Sequence, residues 1–241
     1  MAIPQRPIRI AMVVYNGFDI LDHGGPYGMF SAQAPSLLNP QVVAATTAPI
    51  KSSQGMEVIP TSTFEQLDGA DVIWVPGGSG PDYLDQFYCD NPMLQWLNKQ
   101  KDTARLICSV CTGAHIAAAA GLLNGYTCTT HWMFQPQLLM FPGITLAPGF
   151  PRYWVDRNRV TGGGVSSGLD ESLAVIAMLL GSEAAMQAQL INQYAPDPPF
   201  NSGSPVTASP EMLADFFSWI GYDTQPSWTT AIEKYIDSDC M

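Results

Sequence analysis

Hydrophobic positions fall in short blocks separated by glycine, proline and polar stretches. IRIAMVVY at 8–15, QVVAATTA at 41–48, ADVIWVPGG at 70–78 and ARLICSV at 104–110 are mostly apolar runs, several rich in β-branched side chains. Unalternated runs of this length mark strands buried on both faces of a sheet. Helical spacing lies between and after them. GPYGMFSAQA predicts a helix start, with Pro26 near its first turn, where a missing N–H costs nothing. Residues 90–101 predict a second helix, and a third starts at Thr112. GLDESLAVIAMLLG at 168–181 puts Leu169, Leu173, Ile176 and Leu180 on one face, and the pattern predicts continuation past Gly181 into SEAAMQAQLINQYA.

The remaining blocks are shorter. MEVIPTSTF at 56–64 predicts an extended hairpin arm, and TCTTHW at 127–132 a short strand or turn. WVDRNRVTGGG at 154–164 predicts a hairpin turning at DRN. Residues 195–210 carry Pro196, Pro198, Pro199, Pro205 and Pro210, the composition of a fixed loop, and the tail has room for one or two more helices. Strands alternating with helices predict an α/β fold, a mostly parallel sheet with helices on both faces. Neither a polar linker nor a repeat divides the chain, so 1–241 is expected to form a single domain. Sites in such sheets lie beyond the carboxyl ends of the strands. Three segments are expected there: the loop at 16–26, the turn at 76–80 and the corner at Cys111.

Composition narrows the partners. The chain is 46% hydrophobic and 13% charged, enough for a sizeable core. Its 10 basic and 21 acidic residues leave a net charge of −11, which argues against nucleic acid. The N-terminal apolar stretch IAMVVY is short for a secretory signal, and Asp19 follows soon after. Without a run long enough to span a bilayer, membrane association is not expected, and a soluble, cytoplasmic protein is. Five scattered cysteines fit a reducing compartment better than a disulfide framework. They form no ligand cluster with the three histidines, so no metal is expected.

In LICSVCTGAHIAAAAGLL at 106–123, Cys111 ends a strand as a small-residue helix begins. Such a strand–turn–helix corner can hold a nucleophile where free amides and the helix dipole lower a thiol pKa. Position alone equally allows a buried packing role. Cys108 and Cys111 have redox-pair spacing, but Cys108 lies inside the apolar run and is expected to face the sheet layer. Cys89, Cys128 and Cys240 have no partner spacing. His115, four residues into the helix, points away from its mouth, whereas His131 could face either way. Asp19 and Asp22 end the first strand, where a carboxyl group could manage protons for the sulfur; either could equally be a helix cap. The glycines of VPGGSG at 75–80 let backbone approach a ligand closely, but neither they nor TGGGVSSGLDE at 161–171 match a dinucleotide fingerprint.

PGGSG, SVCTGAHIAAAAGLLNGYTCTTHW and VTGGGVSSGLDESL together resemble the PfpI-like superfamily of flavodoxin-like cysteine proteins. LDHGGP at 21–26, the proline-rich QYAPDPPFNSGSP at 193–205 and the threonine after the cysteine resemble its isocyanide (isonitrile) hydratases. The resemblance runs over residues 8–207, and the tail from 208 has little match. It implies a flavodoxin-like sheet with a nucleophile elbow at Cys111. It also implies Asp22, rather than Asp19, as the essential acid, Thr112 as a positioning residue and Gly78 in a turn that contacts the reacting group. The implied activity is hydration of a small-molecule isocyanide, R–N≡C, to an N-substituted formamide. Cys111 would attack the terminal carbon, the nitrogen would take a proton, and Asp22 would manage hydrolysis of the thioimidate. No cofactor is implied, and a homodimer is. His23 and Gly24 depart from the less polar residues that follow the acid in that family. Thr112 departs from the histidine that follows the cysteine in many PfpI-like proteases and related hydrolases. A glyoxalase-like or amide-hydrolysing enzyme and a non-catalytic ligand or oxidation sensor are the alternatives; the chain shows no basic helix-turn-helix extension for the sensor reading.

Overall fold

The protein is described by a computed structural model covering residues 6–67, 69–219 and 226–238. Strand β1 (Ile8–Val13) lies inside a seven-stranded sheet. Helix α1 (Ile20–Ser31) leads to β2 (Leu38–Ala44), which pairs parallel to β1. β3 (Ile50–Lys51) and β4 (Glu57–Val58) form the hairpin arm, and β5 (Ser62–Thr63) closes the sheet edge beside β2. The chain then crosses to the other side of β1. There β6 (Val72–Val75) is followed by α2 (Pro81–Leu84) and α3 (Pro92–Gln100). β7 (Leu106–Ser109) pairs with β6 and leads into α4 (Gly113–Ala119). β8 (Thr127–Cys128) and β9 (Thr145–Leu146) form a small ladder around a 3-10 turn at Trp132–Phe134 and α5 (Gln135–Leu138). β10 (Tyr153–Asp156) and β11 (Arg159–Gly162) make the antiparallel hairpin that ends the sheet. Helices α6 (Ser167–Leu180), α7 (Ser182–Ile191), α8 (Pro210–Trp219) and α9 (Pro226–Ile236) follow.

The sheet order is β10-β11-β7-β6-β1-β2-β5, parallel except for β10. Alternate residues of the buried strands feed two apolar layers. Ala11, Val13, Ile73, Val75 and Ile107 face α3, α4 and α9, whereas Ile10, Met12, Trp74, Leu106 and Cys108 face α1, α6 and α7. Burial on both sides is why these strands lack a polar face. The α/β reading is therefore correct, as is the placement of Cys108 in a sheet layer. Among the described residues, no helix is long and apolar enough to cross a membrane.

Four local expectations change. Helix α1 starts at Ile20, not near Pro26, because Asp19 caps it by accepting from the amides of Leu21 (2.9 Å) and Asp22 (3.3 Å). Asp22 is thus in a helical first turn rather than a loop. Pro26 is inside the helix, where it denies the Asp22 carbonyl its usual donor; the Trp74 indole N–H supplies one instead, at 2.9 Å. The helix expected to run past Gly181 divides there, since Gly181 adopts φ 92°, which ends α6 and lets α7 begin afresh. Cys89, for which the spacing gave no partner, is disulfide-bonded. Cys240 lies outside the described residues.

The tail is not an appendage. Helix α9 buries Trp228, Ile232 and Tyr235 in the layer shared with α4, and the Tyr235 hydroxyl donates to the Ala119 carbonyl at 2.9 Å.

Candidate active site

Three parallel neighbours, β1, β6 and β7, end at one edge of the sheet with β6 in the middle. That order places the Gly77–Gly78 turn after β6 between Asp22, which follows β1, and Cys111, which follows β7. The Gly77 amide donates to Asp22 Oδ2 at 2.9 Å. The Gly78 amide donates to Thr112 Oγ1 at 2.9 Å, and that hydroxyl donates back to the Gly78 carbonyl at 2.9 Å. The resemblance put Gly78 in a turn that contacts the reacting group; here its amide donates to Thr112. Sequence reasoning missed Gly77, which holds the acid. A Cβ there would fall 2.6 Å from the Thr112 nitrogen, 2.7 Å from Thr112 Oγ1 and 2.8 Å from Asp22 Oδ2. The consecutive glycines carried that signal, but not which one bonds the acid.

Cys111 sits at the corner with φ 57°, a left-handed conformation that costs a non-glycine residue about 1–3 kcal/mol. The surroundings hold it there. Its amide donates to the carbonyls of Gly163 (2.8 Å) and Gly162 (3.2 Å), and its carbonyl accepts from Thr130 Oγ1 (2.7 Å). Gly113, next in the turn, has no room for a side chain against the Val75 and Pro76 carbonyls. This is the strand–turn–helix elbow expected from the sequence. Cys111 is only 7% exposed. A corner at a helix N-terminus predicted a lowered thiol pKa. Burial, with the Asp22 charge second, pushes it well above the ordinary value, while the amide and hydroxyl of Thr112 pull it back.

Asp22 is fully buried, and burial pushes its carboxyl well above the usual carboxylate range; the Asp19 charge adds to this. The Gly77 amide and the Cys111 thiol oppose the shift by bonding the anion. The Asp22 charge in turn disfavours the Cys111 thiolate, so the two groups ionise together only at high cost. They lie close enough for a proton to pass between sulfur and carboxyl oxygen.

None of the three histidines is hydrogen-bonded to this pair. His23 packs between Phe18 (5.7 Å, edge-on) and Tyr27 (6.0 Å, stacked). His115 is fully buried, with Nδ1 3.2 Å from the Thr112 carbonyl and Nε2 3.1 Å from the Phe134 carbonyl. His131 accepts from the Met133 amide at 3.3 Å and packs on Gly164. Burial lowers each to about 4, so all three are neutral at pH 7. Glu171, also unforeseen, is buried under the elbow, where a Cβ on Gly162 would collide with its carboxyl. Burial holds that carboxyl well above the usual range too.

A cavity of about 320 Å³ opens beside the elbow. Its walls mix apolar Leu21, Trp132 and Phe150 with polar Thr130, His131 and Arg152. Among the described residues, no group of three or more His, Cys, Asp or Glu could hold a metal ion.

The profile of the DJ-1/PfpI family matches residues 8–178. An isonitrile hydratase of Pseudomonas putida is 39% identical over 210 residues, covering 86% of this chain and 87% of that protein. A crystal structure of a THiJ/PfpI family protein from Pseudomonas syringae superposes with a TM-score of 0.84 at 33% identity, covering 95% and 94% of the two chains. The HTH-type transcriptional regulator GbdR of Pseudomonas aeruginosa is 29% identical over 133 residues, 55% of this chain but 35% of the regulator.

Proposed function

The chain belongs to the DJ-1/PfpI family, and from that premise we propose that it is an isocyanide hydratase working through Cys111. The observation that carries this reading is the buried Cys111–Asp22 pair, which puts a nucleophile and a movable proton side by side. The identity to the Pseudomonas putida isonitrile hydratase over most of both chains supports the substrate class.

The steps balance with groups of the chain and one water. Sγ forms a bond to the terminal isocyanide carbon while the pair's proton moves through Asp22 to that same carbon. The product, R–NH–CHO, carries its formyl hydrogen on this carbon, so the first proton goes to carbon rather than to nitrogen. The adduct is the thioimidate R–N=CH–S–Cys111. Water then adds to the carbon: its oxygen forms the new bond, one proton goes to nitrogen, and Asp22 accepts and returns the other. The C–S bond breaks, the formamide leaves and the pair regains its proton. Covalent catalysis of this kind divides one hard addition into two easier ones. Thr112 fixes the turn and stabilises developing charge on sulfur. Gly78 acts by holding Thr112. No metal or organic cofactor is required by these steps.

We further propose a homodimer, supported by the exposed apolar side chains of Met186, Leu190, Ile191 and Phe200. The test of function is formamide release from methyl and cyclohexyl isocyanide by the wild type and by Cys111→Ala. Formamide from the wild type alone supports the reading. No formamide, with consumption of methylglyoxal or a simple amide instead, assigns the site to another family chemistry. No turnover of any of these, with Cys111 oxidised by peroxide, favours a sensor.

A further inference from the structure

We propose that Trp228, on the C-terminal helix beyond the family match, is a positioning residue for the reactive cysteine, acting by clamping Tyr83 and His115 onto the carbonyl of Thr112. The indole stacks on the Tyr83 ring at 4.5 Å and 28°, and packs tilted against Phe134 at 4.4 Å and 30°. It meets His115 edge-on at 5.9 Å and 75°. Each of these residues is tied to the elbow. The Tyr83 hydroxyl donates to the Thr112 carbonyl at 3.0 Å, and the His115 amide donates to the same oxygen at 3.0 Å. The His115 ring spans that carbonyl and the carbonyl of Phe134. A neutral imidazole has one N–H, so only one of its two ring contacts is a hydrogen bond at a time. The ring is therefore held chiefly by its neighbours, with Trp228 across its edge.

Thr112 transmits this order. Its carbonyl is fixed from the α9 side, its hydroxyl bridges both backbone groups of Gly78, and its amide favours the anionic form of Cys111. The preceding carbonyl, of Cys111, is held by Thr130. A Thr112 free to rotate would carry its hydroxyl off Gly78 and away from the sulfur. Trp228 is 8% exposed, and Tyr83 and His115 are fully buried, so the stack has little slack. The match to the DJ-1/PfpI profile ends at residue 178, so this support comes from a part of the chain outside it.

The inference rests on Cys111 being the reactive thiol and is independent of the substrate. The test is the rate of Cys111 alkylation by iodoacetamide against pH, with thermal melting alongside, for wild type, Trp228→Phe, Trp228→Ala, Tyr83→Phe and the Trp228→Ala/Tyr83→Phe double variant; Cys111→Ala gives the background. Trp228→Ala and Tyr83→Phe are expected to raise the midpoint by about half a pH unit, roughly a threefold loss of thiolate at fixed pH. Trp228→Phe keeps the stack and is expected to keep the wild-type midpoint. The double variant is expected to shift no further than either single change. A Trp228→Ala protein that melts lower but follows the wild-type profile overturns the inference. If that variant does not fold, Tyr83→Phe decides, and a wild-type profile there overturns it as well. A wild-type Cys111 that resists alkylation at every pH overturns the reactive thiol itself, a failure distinct from these.

Discussion

Gly77 donates its amide to the buried carboxyl of Asp22 at 2.9 Å. The bond gives the acid a fixed orientation beside the sulfur, and it exists because residue 77 has no side chain. Gly77→Ala would drive a methyl into the space between Thr112 and Asp22. We expect kcat to fall about 100-fold, the order of effect that ångström-scale misplacement produces. Stability should fall by about 1–3 kcal/mol through overpacking. Formamide release and urea unfolding measure the two; an alanine variant with wild-type kcat would contradict the arrangement.

Cys111 and Cys108 should separate cleanly. Cys111→Ala is expected to abolish formamide release while melting close to wild type, and Asp22→Asn to leave a folded protein of severely reduced kcat. Cys108→Ser should keep most activity, since its sulfur lies in the α6-side layer. Equal loss in Cys108→Ser and Cys111→Ala would point back to a two-cysteine redox site.

Stability should fall as pH drops from about 6.5 toward 4. His23, His115 and His131 have pKa values lowered by burial to about 4, against 6.5 for the free side chain. Between these values the unfolded chain binds protons that the folded chain does not, so acid favours unfolding. Urea midpoints between pH 7 and 4 should decline, and His115→Asn should reduce that slope whatever it does to stability at pH 7. An unchanged slope would mean that His115 titrates normally.

Glu171 acts with the opposite sign. Its folded pKa lies above the usual 4.5, so its contribution is present below 4.5 and lost as pH rises toward the folded value. Because this opposes the histidines, Glu171→Gln should steepen the acid-side fall of stability across that interval, as read from the same urea series. A flatter curve would show that the buried carboxyl is stabilised as an anion.

Trp132 forms part of the cavity wall. Trp132→Ala is expected to raise KM for cyclohexyl isocyanide by about tenfold while leaving methyl isocyanide nearly unaffected, the scale of discrimination that apolar pocket contacts supply. Equal effects on both substrates would place the R group elsewhere.

The sheet and the elbow were legible because each rests on a local pattern. Short, mostly apolar runs rich in β-branched side chains and bounded by turn residues read as buried strands, and a cysteine between such a run and GAHIAAAAG has few conformations open to it. The start of α1 was not legible. Pro26 reads as an N-terminal residue, and only the distant Trp74 indole reveals why it is tolerated inside a helix. Gly181 was misread for the converse reason: a lone glycine in a helical pattern carries no sign of its φ. The burial of Cys111 and the role of Trp228 depend on segments far apart in the chain, which no local window contains.

The groups proposed to handle the proton follow three neighbouring inner strands, whereas much of the cavity wall comes from separate segments at 130–132, 150–152 and 203–205. Because these sets barely overlap, selection or design can reshape substrate range in the peripheral segments while leaving the reactive machinery intact. A scaffold divided in this way is suited to acquiring new specificities one loop at a time.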